Sequence, residues 1–335
     1  MRAVIAVVLL AVAGVSQAEA LVPDTAFAVR WLDEGYLARH NALQAAADQF
    51  SSASAAFCSK PAAATLADAR NAYGKALLAW RSMDGATAGP NVLERTGRKI
   101  DFRPTRVADI ESAISDGKGV DALNVATRGL PAAEYLLWGD RQPTAQLNKL
   151  KKPARCAYLT GSAAQIVTDV HALDEGWATY RKELAGEEAF FRNNLFPETV
   201  GLMLAGLEGT LRRLPRVDDA KIEAYADWRS DVGKAAVSAQ LEGFAVAYFG
   251  AGKDKASLAG FLVDHDKAAV NTRVLAALDN ARALLKKMPQ KIDAPAGAAT
   301  RKAFIKAVAD IKHVVEGDVA EALDITLGFN DSDGD

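Results

Sequence analysis

Nine residues, Cys156, Leu159, Ala163, Ile166, Val170, Leu173, Trp177, Tyr180 and Leu184, recur at steps that alternate three and four without a miss. That spacing is the signature of one apolar seam on a helix. A strand would show period two, and no stretch of the chain alternates that way for long. The pattern predicts one long amphipathic helix. Pro153 sits near its start, where a proline is tolerated because the first amides lack intrahelical partners. Such a stripe must be buried against other helices, so it sets the class of fold.

Other segments repeat the pattern. Val29, Leu32, Tyr36, Leu43 and Phe50 mark a first helix after Pro23-Asp24, and Leu66, Tyr73, Leu77 and Trp80 mark a second. Phe196, Val200, Met203, Leu207, Leu211 and Leu214 mark another, ended by Pro215. Ile222 to Phe249, Val270 to Met288, and the stripe Phe304, Val308, Ile311, Val315, Val319 complete the set. Aromatic residues are only 7% of the chain and Ala, Leu, Lys and Glu are abundant, which also favours helix. The expectation is an all-α protein. Its 335 residues suit two helical bundles, 21–185 and 186–335, joined at Ala185-Gly186-Glu187. Trp80-Arg81-Ser82 recurs as Trp228-Arg229-Ser230, a short echo compatible with a duplication. Asp84 to Pro104, with Gly85, Gly89, Pro90 and Gly97, reads as a long loop of the kind that carries function.

Residues 1–20 have the form of a secretory signal peptide. Arg2 precedes an apolar run from Val4 to Val15, and Ala18-Glu19-Ala20 supplies the small-residue cleavage site. The run is short for a membrane span, and no later apolar run approaches that length. No cysteine lies near the cleavage site to take a lipid. Export places Cys58 and Cys156 in an oxidising compartment, where an even count suggests a disulfide; two buried thiols are the alternative. A bridge would close a loop of about a hundred residues and contribute about 4 kcal/mol. A formal charge of −2 leaves no electrostatic footprint for nucleic acid.

The run Gly129-Leu130-Pro131-Ala132-Ala133-Glu134-Tyr135-Leu136-Leu137-Trp138-Gly139 carries the most suggestive chemistry. Gly129 lets the chain turn sharply and Pro131 suits a first helical turn. Glu134 then lies near a helix N-terminus, whose dipole favours an ionised carboxylate. Within so apolar a turn it either reaches solvent on an exposed flank or meets a partner. Arg229 is an available partner, whereas Arg81 reads as a surface arginine lying over an aromatic ring. The histidines offer little. His313 and Glu316 read as a solvated pair, and so does His171 with Asp174 and Glu175. His265 sits in a loop or cap cluster, and His40 is a lone helical histidine. Asp331-Ser332-Asp333-Gly334-Asp335 lacks the closing Glu of a calcium loop and reads as a terminal tail. No HExxH, Ser/His/Asp spacing or phosphate-binding Gly loop is present.

These motifs, taken together, resemble the imelysin family, peptidase family M75. Gly129 and Glu134 match its Gly-x-His-x-x-Glu segment, and Pro131 stands where that pattern has His. Trp80-Arg81, Gly89-Pro90 and Phe102-Arg103-Pro104 look like its Trp, Gly-Pro and Phe-Trp-Pro landmarks, with Arg103 in place of Trp. Trp228-Arg229-Ser230-Asp231 looks like its Trp-Arg-Ser-Gly element, with Asp231 in place of Gly, and the Asp333-Gly334-Asp335 ending is similar to its terminus.

The resemblance implies an exported, two-domain helical protein linked to iron uptake, from a family named for proteolysis. In that family the His and Glu lie on one helix face and can share a ligand or metal. Pro131 has no ligand atom, and a catalytic zinc site needs three protein ligands. The expectation is therefore a periplasmic, non-catalytic binding or accessory protein. Its ligand-binding candidates are Glu134, Arg229 and Ser230, with no catalytic residues and no metal ligands. No cofactor is expected, although the resemblance leaves iron or another metal open. The partner is a small ligand or a component of iron uptake. An imelysin-type metallopeptidase and a helical protein-interaction module are the alternatives.

Overall fold

A computed structural model describes residues 21–139, 143–215 and 221–327. The leader (1–20) and the acidic tail from Gly328 lie outside the described residues. Among the described residues the regular structure is helical, with no strand. The chain runs α1 (Thr25–Trp31), a π-turn (Leu32–Leu37), α2 (Ala38–Ser59), α3 (Ala63–Asp84), α4 (Pro90–Leu93), α5 (Thr96–Ile100), α6 (Val107–Ser115) and α7 (Gly129–Trp138). It continues with α8 (Pro143–Leu150), α9 (Pro153–His171), α10 (Asp174–Ala185), α11 (Phe190–Arg212) and α12 (Gly233–Phe249). Then come α13 (Leu258–Asp264), α14 (Ala269–Lys287), α15 (Ala298–Val314), a second π-turn (Val315–Val319) and α16 (Ala320–Leu323).

All nine residues of the 156–184 seam are buried. The helix beneath them is not single, however, because it breaks between α9 and α10 at Ala172-Leu173. Both linking residues keep right-handed backbone angles, φ −60° and ψ −14° for Ala172 and φ −83° and ψ −11° for Leu173. The phase of the side chains therefore survives the break, which is why the sequence shows no interruption. The expected loop 84–104 contains α4 and α5, each one turn long. The expected helix 222–249 begins only at Gly233; before it lie a 3-10 turn at Ile222–Ala224 and irregular backbone. There Asp227 and Asp231 both adopt positive φ, 59° and 58°. Asp231 stands where the family pattern has Gly, and aspartate is among the few residues that tolerate this left-handed region.

The hydrophobic core is one continuous cluster that draws on helices from both sides of residue 185. α3 runs between α2 and α12. At its C-terminus three backbones touch with no room for a side chain. A Cβ on Gly243 of α12 would lie 2.1 Å from the Ser82 carbonyl oxygen, one on Gly85 would lie 2.0 Å from that of Gln240, and one on Gly206 of α11 would lie 2.1 Å from that of Gly85. The buried Arg39 guanidinium donates to the Ser82, Ala86 and Gly35 carbonyls at 2.7, 3.1 and 2.9 Å. It supplies the cation that a helix C-terminus favours. At the far end, Cys58 of α2 and Cys156 of α9 form a disulfide, their Cα atoms 5.7 Å apart.

The crossing makes a direct prediction. Gly243→Ala forces backbone apart and is expected to lower stability by about 2–3 kcal/mol in urea unfolding. Gly74→Ala, where a Cβ meets nothing within 4 Å, is expected to hold or raise stability, because alanine is the better helix former.

Candidate functional site

Glu134 is fully buried on α7. The helix reaches that depth because of Gly129. Its φ is +76°, and a Cβ there would lie 2.5 Å from the Ile100 carbonyl oxygen, so only glycine allows α7 to start against the end of α5. Pro131 is buried in the first turn, where its missing N–H leaves no intrahelical bond unmade. One oxygen of Glu134, Oε1, accepts from the Ser230 amide at 3.0 Å and the Ser230 hydroxyl at 2.6 Å. The other, Oε2, is buried with no hydrogen-bond partner. The structure thus joins two expected site residues, Glu134 and Ser230, across 96 positions of sequence.

Arg229 lies 5.4 Å from the Tyr135 ring centroid and 4.3 Å from that of Trp228. The expected surface placement of Arg81 is wrong. Arg81 is completely buried and donates to Asp101 and to Asp227, the latter at 3.0 and 3.1 Å. Being near the end of a core helix, it points inward and has carboxylates to meet. Arg103 donates to Asp101 at 3.2 Å and Asp227 at 2.5 Å. Arg213, the residue just after α11, reaches Asp101 at 3.2 Å and Asp84 at 2.7 Å. The cluster is a chain of alternating arginines and aspartates that ties α3, the 101–103 segment, α11 and the 225–232 turn together. Asp227, the residue that holds Ser230's turn to Arg81, gave no signal in the sequence.

Charge and burial compete here with different outcomes. Burial alone would raise the Asp101 carboxyl, but Arg81, Arg103 and Arg213 outweigh it and hold it far below the usual range. Asp227 is likewise held low by Arg81 and Arg103 against burial. Glu134 goes the other way. Burial and the neighbouring Asp227 push its carboxyl up, and Arg103 and the Ser230 donors only partly offset them. The Tyr73 phenol, also buried and without a hydrogen-bond partner, is pushed well up by burial and then by Glu134 and Asp227.

These residues do not fit a catalytic zinc site. Pro131 offers no donor atom, and the Asp101 and Asp227 oxygens already accept guanidinium hydrogens. His40 meets Asp174 at 3.0 Å, and His171 meets Gln44, Asp48 and Asp174 at 3.2, 3.4 and 3.5 Å, while His265 stacks on Phe261 and His313 is exposed. Among the described residues no group of three or more His, Cys, Asp or Glu side chains is placed to hold a metal. A surface depression of about 300 Å³, lined by Lys234, Ser238, Arg282 and Gln290 among others, includes none of the cluster.

Comparison with known proteins places this geometry in context. A family model described as Imelysin, of the peptidase M75 type, matches residues 36–315. No curated protein sequence matches. Two solved structures are similar in fold. An imelysin-like protein from Psychrobacter arcticum 273-4 aligns with a TM-score of 0.75 at 16% identity, covering 93% of this chain and 100% of that one. A candidate iron-regulated protein A precursor from Parabacteroides distasonis ATCC 8503 aligns with a TM-score of 0.75 at 15% identity, covering 92% and 97%.

The raised Glu134 carboxyl has a definite stability signature. The folded chain keeps a proton that the unfolded chain has released, so stability falls as pH climbs from the ordinary glutamate range through the raised value. Glu134→Gln cannot ionise and escapes this loss. Urea midpoints of variant and wild type are expected to agree below about pH 4 and to diverge above it, with Gln the more stable. A constant offset at all pH values would contradict the assignment.

Proposed function

The chain belongs to the imelysin family, and from that premise we propose that it is an exported periplasmic binding or accessory protein of iron acquisition, without peptidase activity. The observation that carries this reading is the buried Glu134–Ser230 pair, set among carboxylates that arginines neutralise. A hydrolytic metal centre activates water through open coordination on several protein ligands. Here the position that would add an imidazole to Glu134 is Pro131, and the nearest aspartates are committed to guanidinium groups. What is left is a preorganised polar centre where distant parts of the chain meet, the kind of place where ligand sites form. Glu134, Ser230 and Arg229 are its proposed ligand-facing residues.

Export is supported by the signal-like leader and by the disulfide, which persists in oxidising compartments. No helix among the described residues is long and apolar enough to cross a membrane. The link to iron is supported by the family and by the description of the Parabacteroides distasonis relative as iron-regulated.

Two measurements test the reading together. A strain lacking the protein is expected to grow normally in iron-replete medium and poorly under chelation. Wild type is expected to restore growth, and Glu134→Ala is not. The secreted chain, purified without chelator, is expected to start near Leu21 and to carry no stoichiometric iron or zinc. Equal growth of the deletion strain under chelation, or one tightly held metal ion with peptide hydrolysis, would overturn the proposal.

A further inference from the structure

The surface depression of about 300 Å³ lies between α12 and α14 and shares no residue with the Glu134 cluster. Lys234, Ser238 and Glu242 recur every four residues along one face of α12, and Arg282 and Lys286 do the same on α14. Two bridges fasten these faces together. Lys234 Nζ donates to the Lys286 and Met288 carbonyls at 3.2 and 2.5 Å. Arg282 donates to the two Glu242 oxygens at 2.9 and 2.6 Å. Ser238 lies between the bridged positions on α12, and the buried Leu285 adds apolar lining. The walls are set before a ligand arrives, which lowers the cost of binding one.

The lining carries charge that the chain itself does not answer. Arg282 is neutralised by Glu242, with Asp279 also in reach. Lys234 and Lys286 have no ion-pair partner among the described residues, and none of the lining residues is acidic. From Arg282 to Lys291 the chain has four cations and no acid, although its formal net charge is −2. The C-terminal dipole of α14 offsets roughly half a charge, through the carbonyls that Lys234 caps. More than one positive charge is left facing a single depression. Donors are left as well. Lys234 keeps one of its three ammonium hydrogens, and the Lys286 ammonium, the Ser238 hydroxyl and the Gln290 amide donate to no group among the described residues.

We propose that this depression binds a small dianion, carried as a phosphate or as a pair of carboxylates, between Lys234 and Lys286. The inference is independent of the reading of Glu134, and either stands if the other fails. The two ammonium groups reach the ligand from opposite walls with charge-assisted hydrogen bonds, and Ser238 and Gln290 add neutral ones. A cation meets ammonium groups there and no free carboxylate. A neutral molecule leaves the surplus charge unanswered. The volume is at the low end for ligand sites, which restricts the occupant to a small molecule.

Calorimetry of the mature chain tests this with phosphate at mildly alkaline pH, with succinate and with acetate, all at one ionic strength. Phosphate or succinate is expected to saturate one site per chain and to bind at least about tenfold more tightly than acetate, which has one charge fewer. The tighter of the two identifies the group that the site is shaped for. Lys286→Gln alters an exposed side chain, so it is expected to fold as wild type does and to bind that dianion about tenfold more weakly. Lys75→Gln removes an exposed lysine of α3, outside the depression, and is expected to leave the affinity unchanged. No saturable binding of either dianion, acetate bound as tightly as both, or equal losses in Lys286→Gln and Lys75→Gln would each overturn the proposal.

Discussion

The Arg81 guanidinium sits where water cannot reach it and bonds two aspartates from distant parts of the chain. An isolated buried charge would be prohibitively expensive, so neither partner is dispensable. Asp101 follows α5, and Asp227 lies in the turn before α12. By holding both, Arg81 fixes the end of α3, the ceiling over α7 and the turn that delivers Ser230 to Glu134. The glycine crossing of α3, α11 and α12 brings those backbones close enough for the bridge to form. The site is therefore less a pocket cut into a finished fold than a consequence of how α3 is anchored.

That arrangement gives three buried acids different fates. Asp101 and Asp227 are flanked by arginines and stay ionised. Glu134, one step further along, has burial and a like-charged neighbour against it and is pushed towards its neutral form. Glu198, remote in sequence, is also pushed up by burial, with the Gly89 amide and the Tyr180 hydroxyl opposing. The separation between Glu134 and its aspartate neighbours is the chemical asset of the site. It places a carboxyl pushed towards its neutral form close to fixed cations.

The helical class was readable from period alone, because burial of one stripe leaves the same trace whether a helix is continuous or, as at Ala172-Leu173, interrupted by two residues in right-handed backbone. Gly129, Glu134 and Ser230 were legible through motif resemblance, and the Cys58–Cys156 bridge through compartment and count. Arg81 was misread because nothing local distinguishes an arginine over an aromatic from one driven inward. Its burial depends on Asp227, 146 positions away. Asp227 itself was silent, since a single aspartate before a tryptophan looks like any turn residue. Arg103 appeared as a departure from the family pattern, and its meaning emerged only when its two aspartates were in place. Residues whose role lies in a long-range partner escape sequence reasoning, whereas residues whose role lies in local backbone shape do not.

A double-mutant cycle between Arg81 and Asp227 measures the central interaction most directly. Arg81→Met and Asp227→Asn are each expected to cost about 3–5 kcal/mol, since each strands a buried partner. The double variant is expected to cost less than their sum by about 2 kcal/mol or more, the coupling of groups that act on each other. Costs that add to within about 0.5 kcal/mol would show that the two residues stabilise the fold independently, and the account built on their bridge would fail.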